Sequence, residues 1–302
     1  MSTPGHRMGV GIISAGRVGA VVGSALRAAG HAITGVAAVS DASRQRADDL
    51  LPGIPILDAP TILERSELVV LAVPDDALAD LAEGLATAGV VPGGQIIAHT
   101  SGRYGIEVLK PLQEKGAITL ALHPAMTFTG MSLDLKRLIG CPWAVTAAPM
   151  FLPIAKALVV EMEGEPVEIG EADRGAYHMA LAHGSNHLVV LVNQVLSILD
   201  ELGVEDPARL VSPLLHAALE ETLRTGPAAL TGPVMRGDAG TVGEHLDAIR
   251  EMRRPEVDRT YRALAAGALA LTDLDEPKKR TIARLLADTD PATGTDTTED
   301  PE

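Results

Sequence analysis

The sequence predicts an α/β domain built on a doubly wound parallel sheet, followed by an all-helical second domain. Three observations carry this. From Met8 to about Val145, short apolar runs alternate with longer amphipathic ones. The short runs are almost unbroken in Val, Ile, Leu and Ala, as strands covered on both faces must be. After Glu171 only helical periodicity remains. The expected domains are therefore 8–170 and 171–287, with 288–302 as a disordered acidic tail, since it holds six acids, no base and no large apolar residue.

The expected strands are 10–13, 32–39, 68–73, 95–98, 118–122 and 143–145. Helical patterns fill the intervals at 18–29, 43–51, 77–88 and 106–114, and Pro52-Gly53 and Pro92-Gly93 mark loops. A helix at 151–163 and a short strand at 166–169 close the domain. The second domain reads as helices at 173–202, 207–224, 241–249, 255–272 and 277–286.

Composition narrows the function. The 302 residues carry a formal charge of −15 and only six aromatics, so neither a basic nucleic-acid face nor a base-stacking platform is expected. No run approaches the ~20 apolar residues of a membrane span. The one cysteine, Cys141, offers neither an internal disulfide nor a cysteine-rich metal site, which suits the cytoplasm. With no third ligand at suitable spacing, no metal is expected. Only six of the 25 basic residues are lysines, and none lies between Lys156 and Lys278.

The first strand runs into Ser14-Ala15-Gly16-Arg17-Val18-Gly19, which then opens a helix. This is the Gly-x-Gly-x-x-Gly dinucleotide fingerprint of a Rossmann-type sheet, with Ser14 in place of the first glycine. Gly16 would let a pyrophosphate approach the backbone at the positive helix end, and Gly19 would allow close helix-to-strand packing. At the end of the second strand stand Ser40, Asp41, Ser43, Arg44 and Arg46. An acid there would take the ribose hydroxyls of NAD, whereas hydroxyls with an arginine suit the 2′-phosphate of NADP. Asp41 comes one step late, which favours NADP with NAD possible; Arg44 and Arg46 equally suit a solvated helix face. Val73 and Pro74 end the third strand and would skirt the cofactor. Asp75 and Asp76 also suit a helix start. His99, Thr100, Ser101 and Gly102 bring more polarity to the end of a strand than a turn requires.

With Leu122-His123-Pro124-Ala125-Met126-Thr127-Phe128, Tyr177-His178, Asn186 and the segment from Thr231 to Asp238, these motifs resemble one family in order and spacing. It is the family with a Rossmann-like domain followed by domain of unknown function 2520. The wider resemblance is to 6-phosphogluconate dehydrogenase-like, ketopantoate reductase-like and pyrroline-5-carboxylate reductase-like proteins. The resemblance covers nearly everything from Met8 to about Leu286. It implies a nicotinamide dinucleotide cofactor, a small-molecule substrate and a homodimer paired through the helical domain. In the lysine-dependent branches a catalytic lysine precedes an asparagine by one helical turn. If Asn186 matches that asparagine, Ala182 stands where the lysine would be.

Hydride transfer also needs a proton donor for the reduced substrate. His178, Ser185, Asn186 and Asn193 fall within an arc of roughly 100° on one helix, beside an apolar stripe of Leu181, Leu188, Val192, Val195 and Leu199. Such an arc lines a cleft or faces solvent. His123 ends a strand at the ligand-binding edge, and an unperturbed imidazole of pKa ~6.5 would make either His123 or His178 an acid near neutrality. Asn186, Ser101, Thr100 and Gly102 are the expected substrate neighbours. Arg236 with Asp238 would clamp a carboxylate, or the two would cap the next helix.

The reading is an NAD(P)-dependent oxidoreductase reducing the C=O bond of a small carboxylate-bearing metabolite, with a ketopantoate-like 2-oxoacid first by resemblance. The alternatives are an imine reductase resembling pyrroline-5-carboxylate reductases and a non-catalytic dinucleotide-binding regulator or scaffold.

Overall fold

The computed structural model describes residues 7–89 and 91–288; the tail expected beyond Asp288 lies outside them. Contacts divide the chain into two compact units, the first ending at Ser185 and the second starting at Asn186.

The first unit is built on a seven-stranded sheet. β1 (Gly9–Ile13) leads through α1 (Arg17–Ala28) to β2 (Ala32–Ala37). Then come α2 (Asp41–Leu50), α3 (Ala59–Arg65), β3 (Leu68–Leu71), α4 (Asp75–Ala88) and β4 (Ile96–His99). A 3-10 turn, Ile106–Leu109, joins α5 (Lys110–Gln113), and β5 (Ile118–Pro124) follows. The last strands are β6 (Pro142–Ala147) and β7 (Glu165–Glu168), reached through α6 (Leu133–Leu138) and α7 (Leu152–Glu161). The spatial order is β2-β1-β3-β4-β5-β6-β7. A single parallel bridge from Val36 to Ile56 marks the place of one further strand beyond β2. The chain thus moves outward from β1 to β2 and then crosses back to β3 on the other side of β1. That reversal is the topological switch point at which ligands of such sheets bind.

Period-two alternation splits the core between the two faces. On β3, Leu68 and Val70 join one cluster with Val21, Leu26, Trp143 and Leu158. Val69 and Leu71 join the other, with Ile62, Leu78, Leu85 and Leu109. Each face is thereby closed by helices.

The sheet departs from the expectation of an all-parallel one: β6 runs antiparallel to β5, with Pro124 opposite Trp143. The chain between them forms only the six-residue α6 and turns back at the edge where β5 ends, instead of crossing the sheet. The ten-residue α7 does cross, so β7 is parallel to β6. The apolar run 143–145 carries no sign of strand direction.

α8 (Arg174–Glu201) extends from the first unit into the second. The boundary expected near Gly170 marks where strands end, but the contacts divide the chain inside this helix. The second unit continues with α9 (Pro207–Thr225), α10 (Pro233–Arg236), α11 (Ala239–Glu251), α12 (Pro255–Ala270) and α13 (Glu276–Ala287). Its core is Val234, Val242, Leu246, Ala265, Leu269, Ile282 and Leu286, all from α10 to α13. Gln194 of α8 donates to Thr260 Oγ1 of α12 at 3.1 Å. The apolar stripe of α8 is not buried within the chain: Arg174 is the only buried residue of its 28. Among the described residues no helix is long and apolar enough to cross a membrane.

Candidate active site

The turn after β1 is a tightly held bend. Ser14 takes φ 84°, the left-handed conformation that the missing glycine would have supplied, at a cost of about 1 kcal/mol. The Ala15 amide donates to Ala37 O at 2.8 Å, locking the turn to the end of β2. Gly19 has no room for a side chain, since a Cβ would collide with Ser14 O and stand 2.9 Å from Ala72 Cβ. Gly16 is different. Its φ of −65° and ψ of −173° suit any residue, and a Cβ would meet nothing closer than Ser14 Oγ at 3.3 Å. Its missing side chain therefore clears the space before the first amides of α1, which no side chain caps. These residues fit the pyrophosphate of a dinucleotide.

Around this turn stand three arginines. Arg46 Nε donates to Ala15 O at 3.2 Å. Gly130 approaches Arg17 and Arg46 so closely that a Cβ would lie 2.9 Å from Arg46 Cδ. Arg44 lies 3.7 Å from the exposed carboxylate of Asp41. Ser40 and Ser43, expected at the 2′-phosphate of NADP, cap α2: Ser43 N–H donates to Ser40 Oγ at 3.2 Å and Ser43 Oγ donates to Ser40 O at 2.7 Å. Ser43 is buried as well, because capping an exposed helix start takes both hydroxyls. Val73 and Pro74 stand where β3 gives way to α4, and Pro74 precedes the helix without a capping bond.

The ends of β4 and β5 hold the second part of the site. His99 is wholly buried; its Nε2–H donates to Gly105 O at 2.7 Å while Nδ1 accepts from Ser101 N–H at 3.1 Å. Burial, reinforced by the nearby Arg174 cation, pushes its pKa down to about 4. His99 is thus a neutral brace for the loop from Thr100 to Gly105. Ser101, expected to touch substrate, is 6% exposed, and its Oγ already accepts from the amides of Arg103 and Tyr104. Its correction has the same cause as that of Ser40 and Ser43: a hydroxyl just before unpaired amides is drawn to them. Gly102, also expected at the substrate, serves His123, since a Cβ there would stand 2.8 Å from Nε2. Thr100 is half-buried between these residues.

His123 ends β5 as expected, and its Nδ1 is 2.8 Å from the Tyr177 hydroxyl, the rings packed edge to face. Its pKa is not that of a free imidazole. Burial, then the charges of Arg174 and His178, push it down to about 4, with Asp75 opposing. Burial thus favours the neutral imidazole of His123 at pH 7 over the expected imidazolium acid. His178 is half-buried beside Tyr177 on α8.

The residue that sequence reasoning missed is Arg174. It is 2% exposed, and its guanidinium donates to Ser101 O, Ala121 O, Ala144 O and Thr146 Oγ1 at 2.8–3.3 Å. All four acceptors are neutral. The nearest acid, Glu171, has its carboxylate on the amides of Ile106 and Glu107. With no carboxylate hydrogen-bonded to it, the cation is offset only through space by Glu171, and the rest of its field reaches the groups beside it. Beside it lie the Tyr177 ring, 5.9 Å from the guanidinium carbon, and His123. Burial raises the Tyr177 pKa, Arg174 pulls it back and Cys141 adds to the rise. The sequence signs of this cluster are His123 at its strand end and the dipeptide Tyr177-His178, tyrosine being scarce in this chain.

The remaining candidates lie in the second unit. Asn186 is exposed at its start, and Arg236 is exposed at the end of α10. Asp238 caps α11, accepting from Thr241 N–H at 3.1 Å and from Thr241 Oγ1 at 2.7 Å, contacts that lower its pKa. The cap is made by Asp238, and Arg236 takes no part in it. Among the described residues no group of three or more His, Cys, Asp or Glu could hold a metal ion.

Residues 3–124 match the Rossmann-like domain and residues 141–268 match domain of unknown function 2520. The chain thus carries a stretch like each of these two domains, in that order. No curated protein matches it in sequence. Among solved structures, a Bacteroides fragilis protein provisionally described as an NADP oxidoreductase is 18% identical and superposes with a TM-score of 0.73, over 87% of this chain and 98% of that one. An Aspergillus terreus reductive aminase, solved with NADPH and ethyl levulinate, is 16% identical with a TM-score of 0.62 over 92% of this chain and 99% of its own. A variant imine reductase from Myxococcus stipitatus, solved with NAD+, is 18% identical with a TM-score of 0.59, over 94% and 100%. At such identities the likeness is one of fold.

Proposed function

We propose that this protein is an NAD(P)H-dependent reductase of a polarised double bond, C=O or C=N, in a small metabolite. The observation that carries this reading is the turn from Ser14 to Gly19: a preset left-handed bend at the switch point, with cleared space before uncapped helix amides. The named cofactors of the neighbouring structures support it. A dinucleotide with its pyrophosphate there places its adenosine half toward the end of β2 and its nicotinamide half toward β3, β4 and β5, where His123 and Tyr177 stand.

NADP is the preferred cofactor in this reading. With Ser40 and Ser43 occupied in the helix cap, selectivity falls to Arg44 and Arg46, whose guanidiniums suit a 2′-phosphate. Val39, 89% exposed just past β2, offers an apolar surface for an adenine. A titration with NADPH and NADH tests this, followed by a cofactor-oxidation screen over small 2-oxoacids and cyclic imines. Tighter binding of NADPH with turnover is the expected result. Failure to bind either cofactor overturns the reading, and binding without turnover across the panel favours a regulator.

The reading includes a homodimer. Within the second unit Leu188, Val189 and Val190 of α8 and Leu214 and Leu223 of α9 are exposed, several large apolar side chains of the kind a partner copy would cover. Light scattering at micromolar concentration is expected to give twice the 31.4 kDa chain mass; a lone monomer overturns this part.

A further inference from the structure

Resting on that reductase reading, we propose that the Tyr177 phenol is the catalytic proton donor, positioned by His123, and that the buried Arg174 cation makes the site selective for carbonyl oxygen over iminium nitrogen. Tyr177 Oη and His123 Nδ1 share a hydrogen bond of 2.8 Å. A neutral imidazole has one N–H. Carried on Nδ1, it donates to the phenol oxygen and leaves the phenol O–H free for a substrate; Nε2 then rests unprotonated against Gly102. Burial keeps Tyr177 protonated and His123 neutral through the neutral range, so the phenol is the group able to give a proton there.

The chemistry balances simply. When bound, a reduced nicotinamide supplies the hydride that forms the new C–H bond, and the carbonyl carbon gains the two electrons the nicotinamide loses. The Tyr177 O–H bond breaks and its proton forms the O–H bond of the product alcohol. The phenolate left behind faces the Arg174 charge and recovers its proton from solvent.

Charge decides between the two substrate classes. The guanidinium carbon is 5.9 Å from the Tyr177 ring, and its hydrogen bonds all go to neutral groups. A developing oxyanion is favoured beside it, whereas a preformed iminium meets a like charge. A substrate atom bonded to the phenol lies beyond the ring, at ~10 Å from the guanidinium, and at an effective dielectric of ~20 that repulsion corresponds to roughly tenfold in binding. Asp75 opposes it at His123, but Arg174 is the larger influence.

The test joins a spectroscopic and a kinetic measurement on the full-length protein. Nitrogen-15 NMR of histidine-labelled protein without cofactor is expected to show His123 as the Nδ1–H tautomer, neutral down to about pH 4 to 5. Tyr177→Phe is expected to lower kcat on an identified carbonyl substrate by ~10²–10⁴-fold with NADPH affinity unchanged. In the wild type, kcat/KM for a preformed cyclic iminium is expected to lie roughly tenfold below that for a carbonyl of similar size. An Nε2–H tautomer, a Tyr177→Phe enzyme as fast as the wild type, or a preference for the iminium each overturns the proposal and leaves the reductase reading standing. A wild type that binds no NADPH overturns that reading first and this one with it.

Discussion

Two histidine–tyrosine pairs in this chain share almost one geometry and differ in everything around it. His123 and Tyr177 are joined at 2.8 Å with ring centroids 5.7 Å apart and planes at 85°. His245 and Tyr261, on α11 and α12, are joined at 2.9 Å with centroids 5.8 Å apart and the same interplanar angle. The first pair lies at the end of a buried strand, beside a guanidinium held by neutral acceptors. The second has an exposed histidine and borders an apolar groove formed by residues such as Leu191, Val195 and Leu264. Burial raises the pKa of both tyrosines, but only at Tyr177 does a cation oppose it. The same hydrogen bond therefore has two meanings. Desolvation and a fixed charge, and not the contact itself, make a pair chemically useful.

The largest expected effect separates the two tyrosines directly. Tyr261→Phe is expected to hold kcat within roughly twofold of the wild type, against the ~10²-fold or greater loss expected for Tyr177→Phe. Equal losses in steady-state assays would erase the distinction.

Next comes pH. His99 and His123 both have folded-state pKa values near 4 against an ordinary 6.5. Between those values the unfolded chain binds protons that the folded chain refuses, so their stabilisation is complete above pH 6.5 and lost as pH falls toward 4. Each histidine contributes on the order of 3 kcal/mol. Urea unfolding at a series of pH values is expected to show this loss, and His123→Gln to flatten part of it.

Gly19→Ala sharpens the comparison from the cofactor side. Its Cβ would force Ser14 and Ala72 apart, costing about 1–3 kcal/mol and weakening NADPH binding while leaving the Tyr177 pair in place. The smallest effect belongs to the second unit, where Asp238→Ala removes the cap of α11 at about 1 kcal/mol, read by thermal unfolding with turnover retained.

The parts of this picture legible in the sequence were those set by local chemistry. Ser14 to Gly19 could be read because a strand, a bend and a helix start follow one another along the chain. His123 could be placed at a strand end, but its protonation state could not. That state depends on Arg174, whose partners come from the loop after β4 and from β5 and β6, and in sequence Arg174 is one arginine at a helix start. Ser43 and Ser101 misled for a related reason: a hydroxyl near a strand end looks available until the amides it satisfies are known. The stripe on α8 was read correctly as apolar. Its exposure was hidden, because periodicity shows which residues share a face and not what covers them.

The left-handed Ser14 has a kinetic consequence. Its carbonyl lies against Gly19 and the next amide is bonded to Ala37, so the chain's own contacts hold the bend. A dinucleotide meeting a finished bend has no loop to order on arrival. Its rate of association is then governed by encounter and orientation, and selectivity among dinucleotides by how long each one stays.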